Sequence, residues 1–272
     1  MSQIQRANLA GLECVVAEPP NLHGDTETLV CLHGIGGDDA SFLPQMHSLS
    51  DLYRVVSWNM PGYRQSRPLK QYSFDTLCTR LIELLNALDV QKAHLMGQSI
   101  GGMLAQELYH TQPQRVKSLV LIATTSAFGG SDDSFEEAFL EARLKPLDQG
   151  VSMSELAQTA IPAIVGSRCT PAAVQAAIES MQELSVQTYR EILRCLVTFN
   201  RRTELPLIRC PVCLIAGSED SNSPARTMKK MADQLPHSEF HVIEGAGHLV
   251  NLECAGKTNS LVKKFLKTVF SS

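Results

Sequence analysis

The 272-residue sequence has little of what would commit a chain to a specialised class. No apolar run approaches the roughly 18 residues of a membrane span, and the opening MSQIQRANLAGLECV lacks the apolar core of a secretory signal. A cytoplasmic location with no membrane partner is expected. Neither sign of charge dominates: 24 Lys and Arg against 28 Asp and Glu leave a net charge of −4. That gives no basic footprint for nucleic acid. The eight cysteines are scattered, and only Cys210 and Cys213 form a C-x-x-C. No second Cys or His pair at zinc spacing accompanies them, so no metal is expected, and PVCLIAG reads as a buried strand. A phosphate loop is missing too. GIGG at 34–37 is followed by no Gly-Lys-Ser/Thr and does not complete G-x-G-x-x-G. What remains is a small-molecule substrate handled without a cofactor, by a monomer or a homodimer.

What the sequence does have is an alternation. Apolar runs recur at LVCLHG, RVVSWNM, AHLMGQS, SLVLIATT, PVCLIAG and FHVIEGAG, each bounded by Gly, Pro or polar clusters. Runs that are continuous rather than alternating predict strands covered on both faces, as in parallel sheets. Between them Phe74, Leu77, Leu81, Leu84, Leu85 and Leu88 fall at helical spacing, as do Leu261, Val262, Phe265, Leu266 and Val269. Strands alternating with helices imply βαβ units. The rhythm breaks over residues 129–205. That stretch shows helix starts at Ser134, Ser152, Thr170 and Ser185, and predicts a helical insertion.

Within this frame HLMGQSIGGML places Ser99 between Gly97 and Gly101 at a strand-to-helix turn, the setting of a nucleophile elbow. A serine hydroxyl needs a base, and the base needs an orienting group. VIEGAGHLVNLE supplies His248 past one strand. GSEDSNSP supplies Asp220 past another, with Glu219 as the rival acid. The order serine, acid, histidine is the one an α/β hydrolase requires. Two backbone N–H groups would hold the developing oxyanion: Ile100, directly after the serine, and Ile35, in the turn after TLVCLHGIGG. His33 in that turn reads as a packed supporting residue rather than a base.

Taken together, LHGIGG, WNMPGYRQS, GQSIGG, GSEDSNSP and GAGH resemble the α/β-hydrolase superfamily, in its order and over nearly the whole chain. The resemblance implies an α/β fold with a doubly wound, mostly parallel sheet: a core of residues 1–128 and 206–272, with 129–205 as a lid. Within the superfamily the chain is similar to 3-oxoadipate enol-lactonases and carbon–carbon bond hydrolases. It departs from the family in carrying Asn59 and Arg64 where an aspartate and a glycine are frequent. Gln98 stands where carbon–carbon hydrolases typically have asparagine. A serine nucleophile disfavours haloalkane dehalogenases and epoxide hydrolases, which use aspartate.

The first expectation is a cofactor-independent serine hydrolase cleaving an ester, lactone or similar acyl bond through an acyl-enzyme. The insertion's Met153, Met181, Leu184, Leu193 and Phe199 would shape an apolar pocket, with Arg64, Met153 and Phe199 as candidate substrate contacts. The second is carbon–carbon cleavage or other non-ester chemistry on the same triad. There an acidic substrate would seek a cation among Arg64, Arg143, Arg168, Arg201 and Arg202. The third is a binding protein that keeps the fold without turnover.

Overall fold

A computed structural model of the chain describes residues 3–21, 26–129 and 134–270. The chain opens with a hairpin of β1 (Gln3–Leu9) and β2 (Leu12–Glu18). Its two-residue turn, Ala10 and Gly11, has positive φ at both positions, the primed geometry whose twist matches paired strands. There follow β3 (Thr28–Leu32), α1 (Leu43–Leu49), β4 (Arg54–Trp58), α2 (Phe74–Ala87), β5 (Ala93–Gln98), α3 (Ile100–Thr111) and β6 (Val116–Ile122). Four helices come next: α4 (Ser134–Asp148), α5 (Met153–Ala160), α6 (Pro171–Gln182) and α7 (Val186–Leu196). The chain then returns as β7 (Val212–Gly217), α8 (Ala225–Ala232), β8 (Ser238–Ile243), the single turn α9 (Val250–Glu253) and α10 (Ala255–Phe270).

The strands form one eight-stranded sheet in the order β1-β2-β4-β3-β5-β6-β7-β8. β3 to β8 pair in parallel, while β2 runs antiparallel to both β1 and β4. The hairpin is absent from the run pattern because β1 is largely exposed and carries few apolar side chains.

Along the central strands successive side chains join opposite cores. Leu95, Leu119, Leu121 and Leu214 pack on one face; Met96, Val120, Ile122 and Ile215 pack on the other. Both faces are therefore dry, which is why the runs are continuous. Burying each such side chain contributes about 1.5–3 kcal/mol. Cys210 and Cys213 fall to opposite cores, so the C-x-x-C is not a thiol pair, and all eight cysteines are free.

Helix starts follow local hydrogen bonding. Ser152, Thr170 and Ser185 each accept the N–H three residues on, satisfying a donor that the helix cannot use; α4 begins at Ser134 itself. On α2 the buried stripe is Phe74, Leu77, Cys78, Leu81, Leu84 and Leu85. No helix of the described residues is long and apolar enough to cross a membrane.

Candidate active site

The parallel strands end on one side of the sheet, and the loops leaving β3, β5, β7 and β8 carry the residues of interest. Ser99 sits between β5 and α3 at φ 54°, ψ −122°, a strained region that costs a non-glycine residue about 1–3 kcal/mol. The surroundings hold it there. Its N–H donates to Ile122 O (3.0 Å), and its carbonyl accepts from Gly102 N–H (2.9 Å) and Thr124 Oγ1 (2.7 Å). The flanking glycines are a packing requirement. A β-carbon on Gly101 would lie 2.0 Å from Leu32 O, and one on Gly97 would lie 2.2 Å from Gly101 O. Ser99 is half-buried, and its hydroxyl makes no hydrogen bond to the described residues.

The loop after β8 brings His248, and the loop after β7 brings Asp220. Both are buried, with His248 Nδ1 and Asp220 Oδ2 2.9 Å apart. Oδ1 of Asp220 accepts from Asn222 N–H (2.8 Å) and Ser223 N–H (3.0 Å). Burial works to raise the Asp220 pKa; the hydrogen bond and charge of His248, with those two N–H groups, outweigh it and hold the carboxyl below its ordinary value. Asp220 is thus an ionised acceptor that leaves Nε2 as the free edge of the ring. The rival Glu219 turns away, accepting from Ser167 N–H and Ser167 Oγ, both at 2.7 Å.

Two supporting residues were not visible in the sequence. Glu253, on α9, accepts three backbone N–H groups, from Gly166 (2.7 Å), Gly247 (2.8 Å) and Leu249 (2.8 Å), and so ties the His248 loop to the helical segment. The close approach there requires glycine, since a β-carbon on Gly247 would lie 2.4 Å from Gly166 N. Gln98 donates from Nε2 to His248 O (3.0 Å), joining the end of the serine's strand to the histidine's backbone. Glu253 lies in no recognisable spacing, and Gln98, although beside Ser99 in the Gly97–Gly101 frame, carries no local sign of its partner. Only the fold sets their partners.

In the turn after β3, His33 Nε2 accepts from Met60 N–H (3.0 Å), so its proton sits on Nδ1 and is donated to Gly34 O (2.8 Å). Gly37 N–H donates to the same oxygen (3.1 Å). Burial pulls the His33 pKa down against the opposing pull of Gly34 and Asp38, which suits a neutral positioning group. In a trans peptide the carbonyl and the next N–H point apart. Fixing Gly34 O therefore fixes the Ile35 N–H on the opposite side. Gly34 lies against the nucleophile turn, where a β-carbon on it would come 3.2 Å from Ser99 Cβ. No described acceptor takes the N–H of Ile35 or of Ile100, the first residue of α3.

The four-helix segment touches the loops after β3, β4, β7 and β8. Met181 packs on Gly36, Ile164 O accepts His248 N–H (2.8 Å), Ser167 meets Glu219, and Thr188 Oγ1 reaches Gly62 O (3.4 Å). Of the candidate contacts, Met153 and Phe199 are buried in packing, Phe199 against Phe74 with ring centroids 4.8 Å apart. Arg64 is committed to Asp38, its Nε 2.8 Å from Oδ2; its φ of 48° explains why glycine is frequent in the family there. Asn59 donates to the carboxylates of Glu13 (3.0 Å) and Asp39 (2.8 Å). An aspartate at 59 would add a third negative charge to that pair.

Among the remaining cations Arg201 forms a two-pronged ion pair with Glu107, and Arg168 and Arg202 are exposed. Arg143, on α4, is half-buried with its guanidinium 3.5 Å from the centroid of Phe139. It has no ion-pair partner among the described residues. A cavity of about 380 Å³ behind α3, bordered by Gln106, Tyr109, Arg201 and Leu207, contains none of Ser99, Asp220 or His248.

A sequence model of the alpha/beta hydrolase fold matches residues 27–255. The chain belongs to the α/β-hydrolase fold family. It is 27% identical over 256 residues to the (E)-2-((N-methylformamido)methylene)succinate hydrolase of Acinetobacter baylyi, covering 90% of this chain and 92% of that one. It is 26% identical over 244 residues to 3-oxoadipate enol-lactonase 1 of the same organism, covering 89% of each. The crystal structure of the enol-lactonase from Burkholderia xenovorans LB400 superposes with a TM-score of 0.85 at 21% identity, over 97% of this chain and 100% of that one. At that identity the likeness shows the fold. The chain is a hydrolase of this family, with the mostly parallel eight-stranded sheet of the α/β-hydrolase fold.

Proposed function

We propose that the chain is a serine hydrolase acting on an ester, lactone or similar acyl bond of a small, partly apolar substrate. Ser99 Oγ attacks the acyl carbon while His248 Nε2 takes the hydroxyl proton, and the leaving group departs with that proton. Water, deprotonated by the same nitrogen, then attacks the acyl-serine and releases the acid. Asp220 holds the ring in the tautomer that presents Nε2 and stabilises the imidazolium. The N–H groups of Ile35 and Ile100 receive the oxyanion. The observation that carries this reading is the 2.9 Å pairing of His248 with a buried, ionised Asp220, on the same rim of the sheet as a serine in a strained turn. Ser99→Ala is expected to lower kcat on a suitable ester by several orders of magnitude with the fold intact. Circular dichroism and kinetics on one preparation check both halves; near-normal turnover in a folded variant contradicts the mechanism.

Residues 129–205 serve as the lid in this reading, because Ser167 and Ile164 bond the acid and histidine loops and Met181 packs on the turn after β3. It also offers a charge. Arg143 interacts electrostatically with Tyr189, as Tyr189 does with Tyr63, and the Tyr63 ring lies tilted at 4.7 Å from that of His33, in the turn that carries Ile35. A carboxylate-bearing acyl compound suits such a site, in keeping with the succinate and oxoadipate in the names of the two relatives. Arg143→Ala is then expected to raise KM about tenfold or more for esters carrying a carboxylate, and to leave neutral esters within about twofold. Equal effects on both would remove the anionic assignment. Carbon–carbon cleavage on the same residues is the alternative; acyl-serine accumulation with an ester or a diketone in burst kinetics separates the two.

A further inference from the structure

Away from the catalytic rim, the outer edge of the sheet carries a cluster that sequence spacing cannot reveal. β8 is the edge strand and pairs with β7 so that Cys213 stands opposite Glu239, and Ile215 opposite His241. Alternate residues of a strand share a face, so Cys213, Glu239 and His241 project on the same side of the sheet. The thiol sulfur, a carboxylate oxygen and an imidazole nitrogen all lie within 4.8 Å of one another. His241 Nε2 and Glu239 Oε1 are 3.1 Å apart, and His241 is the only ion-pair partner of Glu239 among the described residues. No lysine or arginine among the described residues pairs with that carboxylate.

We propose that Cys213, Glu239 and His241 form a Zn²⁺ site that clamps the edge strand β8 to β7. Four donors around zinc at about 2.0–2.3 Å stand roughly 3.3–3.8 Å from one another, a spacing this cluster reaches with small side-chain rotations. One sulfur, one nitrogen and one oxygen make a borderline-soft set suited to Zn²⁺ and unsuited to Mg²⁺ or Ca²⁺. Glu239 and His241 are about a third exposed, so the ion has an entry path, while the buried Cys213 supplies the inner anchor. Water completes the fourth position. Binding forms a Zn–S bond and releases the thiol proton to solvent, so affinity increases with pH. The site is distinct from the catalytic rim, because Cys213 lies near the start of β7 and Asp220 beyond its end.

The test is titration of the full chain with Zn²⁺ followed by calorimetry and thermal melting, and with Co²⁺ followed by absorbance. Expected are one ion per chain, a raised Tm, and a thiolate-to-Co²⁺ charge-transfer band. His241→Ala, at a half-exposed position outside the catalytic machinery, should weaken binding at least tenfold without changing ester turnover. Glu239→Gln should do likewise, and His248→Ala should leave binding unchanged. Absence of binding below millimolar Zn²⁺, absence of the thiolate band, or loss of binding in His248→Ala rather than His241→Ala would overturn the site. The calorimetric, thermal and absorbance readouts do not depend on the proposed acyl chemistry.

Discussion

At the scale of single residues, the site depends on acceptors that organise backbone as much as on groups that touch substrate. Glu253 shows this most directly, since one carboxylate collects the N–H groups on both sides of His248 and a third from Gly166. Glu253→Gln keeps the shape but replaces one acceptor oxygen with an NH₂ that faces donors. It is expected to destabilise the protein by about 2 kcal/mol and to lower kcat more than KM, as His248 loses its placement. Urea unfolding with parallel kinetics checks this; unchanged stability would show that the loop is held some other way. The placements legible in the sequence were local ones: Ser99 between its glycines at a strand-to-helix turn, and Asp220 and His248 just past apolar runs. Glu253 and Gln98 were hidden because their partners, at 166, 247 and 248, are chosen by tertiary contact rather than by spacing.

At the scale of elements, the same division holds. Strands β3 to β7 could be read because burial on both faces forces an unbroken apolar run. The β1–β2 hairpin could not, because β1 is an exposed edge and its turn uses Ala10-Gly11 rather than Asn-Gly. The Cys213, Glu239 and His241 grouping was equally hidden, since it depends on the register of β7 against β8. At the opposite end of the sheet from Ser99, Glu27 precedes β3 and bonds His94 of β5 (2.9 Å) and Lys117 of β6. The His94 hydrogen bond, working with Lys117 and against burial, lowers the Glu27 pKa to about 2. A lowered carboxylate pKa contributes stability that is present above the unfolded value near 4.5 and is lost as pH falls toward 2. Glu27→Gln should therefore lower Tm near neutrality and flatten its decline across that acid window. A parent-like acid profile in the variant would assign the acid sensitivity to other groups.

At the scale of the whole molecule, one sheet with two dry faces fixes where three strand ends meet, and the helical segment closes over that rim through Met181, Ile164 and Ser167. The fold class was legible because it follows from the alternation of runs and periods. The packing of α4 to α7 was not, because it rests on contacts such as Met181 on Gly36 which no spacing announces. The central claim is that this architecture activates Ser99. The most direct measurement is the intact mass of the folded protein after exposure to a fluorophosphonate, with peptide mapping and Ser99→Ala as control. A single adduct on Ser99, absent from the variant, is the expected result. No adduct on folded protein, or an adduct that persists in Ser99→Ala, would contradict it.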